Sequence, residues 1–157
     1  MTGGKVRIIS IQYGSRALVR LQGTQIIDVC LQYFSHNNCH YLLAIGDVST
    51  ITIWEISEPP QAADEEIPCK VIFELDAKAM ESEPRPPRYT RAFWHPKRTV
   101  FAVATDTNEV GVIDVTKVSD GKDGVNHKEE EIWSTIAKTE KYDEVRLIFN
   151  SFQHNVI

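Results

Sequence analysis

The sequence predicts an all-β chain built from a repeating four-stranded unit. Short β-branched and aromatic runs recur along its 157 residues. Clusters of Gly, Asp, Asn and Ser divide those runs, as turn chemistry does between strands. The same order of strand, turn and strand then returns with similar residues. Repetition of this kind is tested first, because it decides the architecture.

Taken in order, Met1 to Lys5 lead directly into Val6-Arg7-Ile8-Ile9-Ser10-Ile11, an alternating strand. Ala17 to Leu21 is its expected partner. Ile26-Ile27-Asp28-Val29-Cys30-Leu31 follows, closed by the turn Ser35-His36-Asn37-Asn38. Tyr41 to Ile45 is continuously apolar, which suits a strand buried on both faces. Gly46-Asp47 to Thr50 supplies the next turn, since Gly accepts positive φ and Asp and Ser bond their own backbone. Ile51 to Ile56 alternates β-branched residues and carries Trp54-Glu55 near its end. Ser57 to Pro68 holds Pro59-Pro60, Pro68 and the acids Glu58, Asp64, Glu65 and Glu66. It is expected to be a long, solvated, flexible loop. Lys70 to Leu75 completes the unit.

Asp76 to Tyr89 reads as a linker, because Pro84, Pro86 and Pro87 break helices and strand ladders and favour extended geometry. The second copy opens at Thr90-Arg91-Ala92-Phe93-Trp94, followed by the turn His95-Pro96-Lys97-Arg98. Thr99 to Ala104 matches Tyr41 to Ile45. Thr105-Asp106-Thr107-Asn108-Glu109 matches the Gly46–Thr50 turn. Val110 to Val115 matches Ile51 to Ile56, with Ile113-Asp114 where Trp54-Glu55 stood. Ser119 to Gly124 is a turn-rich loop. Glu129 to Ile136 reads as the fourth strand, because Ile132, Ser134 and Ile136 alternate with Trp133 and Thr135. Val145 to Asn150 starts a further copy, with Ser151 to Asn155 as its turn.

Four antiparallel strands ending in an aromatic-acidic pair are the pattern of a WD-repeat β-propeller blade. The expected boundaries are a partial blade over 6–21, a blade over 26–75, a blade with long insertions over 90–137, and the start of another over 145–157. A closed propeller needs at least four blades of roughly 40–45 residues. With about two whole blades and partial ones at both ends, the chain is expected to be part of a longer protein.

Net charge is -5 and 42% of residues are hydrophobic, values of a globular chain rather than a disordered one. No apolar run approaches the roughly 18 residues of a membrane helix, and no membrane partner is expected. Cys30, Cys39 and Cys69 are odd in number and irregularly spaced, which fits reduced core cysteines in an intracellular protein.

Few residues invite a chemical reading. Cys30, His36, Cys39 and His40 contain metal-ligand types, but Cys39 and His40 are neighbours that point to opposite faces of an extended strand. No metal is expected there. Pro84 to Pro87 has P-x-x-P spacing, read here as a stiff linker. Arg85, Arg88, Arg91, Lys97 and Arg98 form a run without acids between Pro84 and Arg98. RNA contact there is not favoured in an acidic chain. Glu129-Glu130-Glu131 is read as a solvated face. Trp54 and Trp94 are read as core. Asp28, Asp47, Asp106 and Asp114 lie in or beside strands with no partner evident. No phosphate-binding glycine loop, H-E-x-x-H or nucleophile signature is present. No catalytic, cofactor-binding or metal residue is assigned, no cofactor is expected, and no partner-binding residue is identified.

In this register the chain resembles one family. Val6 to Ile11, Arg16 to Val19, Gly23-Thr24 and Ile27-Asp28-Val29 look like early blades of the enhancer of mRNA-decapping protein 4 family, Varicose in plants. Leu43 to Asp47 leading to Ile53-Trp54-Glu55-Ile56 is similar too. So is the blade from Arg91-Ala92-Phe93-Trp94-His95-Pro96 to Val112-Ile113-Asp114-Val115. The resemblance covers about Val6 to Val115. Glu55 and Ser10 stand where the family pattern has Asp, and Gly23-Thr24 where it has Gly-His. The resemblance implies a non-enzymatic cytoplasmic scaffold of processing bodies, with the mRNA-decapping enzyme complex as protein partner. The alternative expectation is a WD-repeat adaptor of a ubiquitin-ligase receptor or a trafficking coat. A third is an enzyme whose catalytic part lies outside this sequence.

Overall fold

The computed structural model describes residues 3–21, 23–47, 50–76, 88–107, 109–115, 126–127 and 134–138. Among these residues the regular elements are all strands, so the fold is all-β. They are β1 (Lys5–Ile9), β2 (Arg16–Arg20), β3 (Ile26–Phe34), β4 (Cys39–Gly46), β5 (Thr50–Ile56), β6 (Cys69–Asp76), β7 (Tyr89–Trp94), β8 (Val100–Thr105), β9 (Glu109–Asp114), β10 (Asn126–His127) and β11 (Ser134–Lys138).

Three sheets form. β1 and β2 make an antiparallel pair. β3, β4, β5 and β6 make an up-and-down meander. β7, β8, β9 and β11 make another. The apolar run at Tyr41 lies in β4, which is buried along almost its whole length. Its match in the second copy is β8, buried in the same way. Both are central strands, which explains why they are apolar on both faces. β3 and β7 are first strands, and each slips register after its first residues, between Ile26 and Asp28 and between Tyr89 and Arg91. The same irregularity thus recurs at the same place in both meanders.

Of the expected fourth strand of the second copy, the described part is β11, and it pairs with β9. The acidic run Glu129–Glu131 and Trp133 lie outside the described residues, as do Pro84 to Pro87 and the copy expected at 145–157. One short piece departs from the expected order. Asn126 and His127 lie in the 90–137 segment but pair in parallel with Glu74 and Leu75, on the outer edge of the preceding sheet.

The meander β3–β6 is the middle layer, with a core on each face. Toward the β7–β11 sheet it sends Phe34, Tyr41, Leu43, Ile45, Ile51 and Phe73, which meet Trp94, Phe101 and Val103. Toward the β1–β2 pair it sends Leu42, Ala44, Trp54 and Ile56, which meet Ala17, Val19 and Leu21. Alternation along β4 and β5 divides the side chains between the two cores. Trp54 and Trp94 are both buried, one in each.

The Ser57–Pro68 loop differs from expectation. Ile67 is buried in the second core, and its N–H donates to the Arg16 carbonyl at 2.9 Å. The four acids stay exposed, but one apolar side chain anchors the loop along the edge of β2. A single isoleucine among prolines and acids leaves no period to read, so the sequence pattern concealed this contact.

Candidate functional site

Two features organise the middle of the molecule. The first is a pair of aspartate clamps. Asp47, in the β4–β5 turn, accepts from the Gln25 N–H at 3.1 Å, and its own N–H donates to the Gln25 carbonyl at 3.0 Å. Asp106, in the β8–β9 turn, accepts from the Arg88 N–H at 2.9 Å and returns its N–H to the Arg88 carbonyl at 2.8 Å. Each aspartate therefore ties the hairpin of its sheet to the residue just before that sheet's first strand. Thr24 adds a hydroxyl donor to Asp47. That bond, with the backbone donor behind it, holds the Asp47 carboxyl below the usual carboxylate range. The expectation that Asp28, Asp47 and Asp106 had no partners is corrected. The partners of Asp47 and Asp106 are mainly backbone groups far away in sequence, which no local spacing reveals.

The second feature is the seam between β3 and β7. Asp28 accepts from the Ala92 N–H at 3.3 Å, the Cys30 carbonyl accepts from the Trp94 indole at 3.2 Å, and Gln32 donates to the Pro96 carbonyl at 3.3 Å. Each contact joins residues 64 apart in sequence, so the two first strands lie side by side and run parallel. Arg91 closes the seam with an ion pair to Asp28 at 3.8 Å. Trp94 sits edge-on to Phe34 and Phe101, with ring centres 5.3 and 5.4 Å away. These edge-to-face pairs add to burial and fix the angle between the sheets.

The metal-type residues go to separate duties. Cys30 faces the seam. Cys39 is buried in the core beneath it, His40 packs on Tyr33, and His36 packs on Phe34. Among the described residues no group of three or more His, Cys, Asp or Glu converges. Burial pushes the thiols of Cys30, Cys39 and Cys69 upward, which keeps them protonated and weakly nucleophilic.

The basic run is used partly for structure. Arg88 serves the Asp106 clamp with its backbone, and Arg91 serves the seam. The N–H groups of Lys97 and Arg98 both donate to Nδ1 of the buried His95, at 3.1 Å each. His95 therefore shapes the turn as a ring acceptor, a role the His-Pro pair did not disclose. Arg85 lies outside the described residues.

The exposed apolar surface is concentrated. Ile27, Val29, Leu31 and Tyr33 all point from one face of β3 to solvent, while Asp28, Cys30 and Gln32 face the seam. Comparison of the chain with family models, with curated proteins and with solved structures finds no match.

Proposed function

We propose that the chain is part of a WD-type β-propeller, and that it is a non-enzymatic scaffold for mRNA decapping. The observation that carries the propeller reading is the parallel seam of β3 and β7. Equivalent first strands of successive meanders lie side by side, as inner strands do around a common axis. The repeated aspartate clamps support it, because the same turn residue performs the same task in both sheets.

The functional half of the proposal rests on the resemblance of Val6 to Val115 to the decapping scaffold family. Raised thiols and an aspartate set engaged with backbone groups are consistent with a platform rather than a catalyst. In this reading the protein works in the cytoplasm, in processing bodies, and binds proteins through its surface.

The test uses the full-length protein tagged at its natural locus. After nuclease treatment, the decapping enzyme is expected to co-purify with it, and its depletion is expected to raise the level of capped, deadenylated mRNA. Normal decay of capped mRNA together with absence of the decapping enzyme would overturn the proposal.

A further inference from the structure

We infer that the loop joining the third and fourth strands of each meander is a latch. It reaches back and adds itself, as a short parallel strand, to the outermost strand of the preceding sheet, and it opens and closes as a local unit. The latch is independent of which partner the protein serves.

Two loops show the same arrangement. The first joins β5 to β6. The Ser57 N–H donates to the Pro68 carbonyl at 3.0 Å and closes the loop's base. Near its end Glu66 stands beside Arg16 of β2 in parallel register, and the Ile67 N–H donates to the Arg16 carbonyl at 2.9 Å. The second joins β9 to β11. Within it Asn126 and His127 are described, and they pair in parallel with Glu74 and Leu75 of β6. β2 and β6 are each the last strand before the next meander begins. In both cases the loop takes the edge that the hairpin partner, β1 or β5, leaves free.

The direction of pairing is informative. Strands joined by tight turns pair antiparallel, as the other ladders within these sheets do, whereas parallel pairing needs a longer return. Parallel addition at the same place in two sheets marks a repeated device. It also engages backbone groups that an outermost strand otherwise presents to solvent. The first latch is short for a chemical reason: Pro68 has no N–H and ends the pairing.

Packing explains why the first latch releases by itself. Between Ser57 and Pro68, Ile67 alone is buried, in the core that holds Ala17, Val19, Trp54 and Ile56. The Cys69 thiol donates to its carbonyl at 3.5 Å. Beside it opens a cavity of about 600 Å³, lined in part by Leu18, Arg20, Trp54, Ile67, Pro68 and Val71. One buried side chain next to a hollow is a weak anchor compared with β4, which is buried along almost its whole length. Segments with few apolar contacts open at lower free energy than the core. The latch therefore detaches from β2 while the meander stays folded.

The experiment uses the full-length protein and amide exchange read at single residues. In the unaltered protein the amide at position 67 is expected to be protected, yet to exchange faster than those of Leu43 and Ile45. Ile67→Ala should speed exchange at position 67 by about thirtyfold or more, the effect of losing a buried isoleucine, and leave Leu43 and Ile45 unchanged. An unprotected amide at position 67 in the unaltered protein would overturn the inference, because no latch is then closed. Equal acceleration at all three positions would also overturn it, because the loop then opens only with the whole core. A second measurement tests the repetition. Neighbouring strands bring paired residues within disulfide reach. The pairs Arg16→Cys with Glu66→Cys and Asn126→Cys with Glu74→Cys should each form a disulfide on mild oxidation, located by mass spectrometry of the peptides. Failure of either pair to cross-link would remove the repeated latch. Every one of these outcomes leaves co-purification of the decapping enzyme untouched, so the two proposals fail separately.

Discussion

Removing Trp94 should loosen the joint between the two meanders. Its side chain is 5% exposed, its indole donates to the Cys30 carbonyl at 3.2 Å, and its ring meets Phe34, Tyr41 and Phe101 within 6 Å. Replacing a buried tryptophan by alanine costs about 3–5 kcal/mol, from lost transfer energy and the cavity left behind. Trp94→Phe keeps most of the ring packing and removes the donor, so it should cost about 1–2 kcal/mol. Urea unfolding of the full-length protein, followed by circular dichroism at constant m-value, reads both differences. A double-mutant cycle with Phe101→Leu should return a coupling of about 0.5–1.5 kcal/mol for the edge-to-face pair. If Trp94→Ala costs less than about 1 kcal/mol, the seam is not a stabilising joint and the packing argument fails. Equal losses for alanine and phenylalanine would instead put the whole effect on the hydrogen bond.

Three further outcomes are expected. Trp54→Ala should also cost about 3–5 kcal/mol, because it opens the other core; a loss under about 1 kcal/mol would make Trp54 a surface contact. Asp47 is held below the usual carboxylate range in the folded protein, so its contribution is complete above that range and is lost as pH falls through and below it. Asp47→Asn should flatten the acid side of the Tm–pH curve, and curves that stay parallel would remove the clamp from the account. Replacing Arg85, Arg88 and Arg91 by alanine should leave affinity for single-stranded RNA unchanged at every salt concentration. A salt slope reduced by about two units, the size expected for three lost phosphate contacts at about 0.7 each, would reveal an RNA surface.

Most strands were readable because burial writes itself into the chain at short range. The runs at Tyr41 and Thr99 are apolar on both faces and became central strands. The turns around Asp47 and Asp106 stood where Gly, Asp and Thr placed them. What stayed hidden depends on distance along the chain. Nothing near Asp47 announces Gln25, and nothing near Asp28 announces Arg91, since folding alone brings them together. Ile67 was masked by its acidic surroundings. The alternation of Ile27, Val29, Leu31 and Tyr33 was visible only in part as a strand pattern. That this set faces solvent follows from where the β1–β2 pair ends, which local sequence does not state.

The central claim is that successive four-stranded meanders are arranged about one axis, with β3 and β7 as neighbouring inner strands. Electron cryo-microscopy of the full-length protein tests it most directly. The account predicts meanders over 26–76 and 89–138 as adjacent blades, with β3 and β7 nearest the axis and the two aspartate clamps in equivalent places. Sheets stacked as flat layers without an axis, or β3 and β7 on the outer rim, would contradict it.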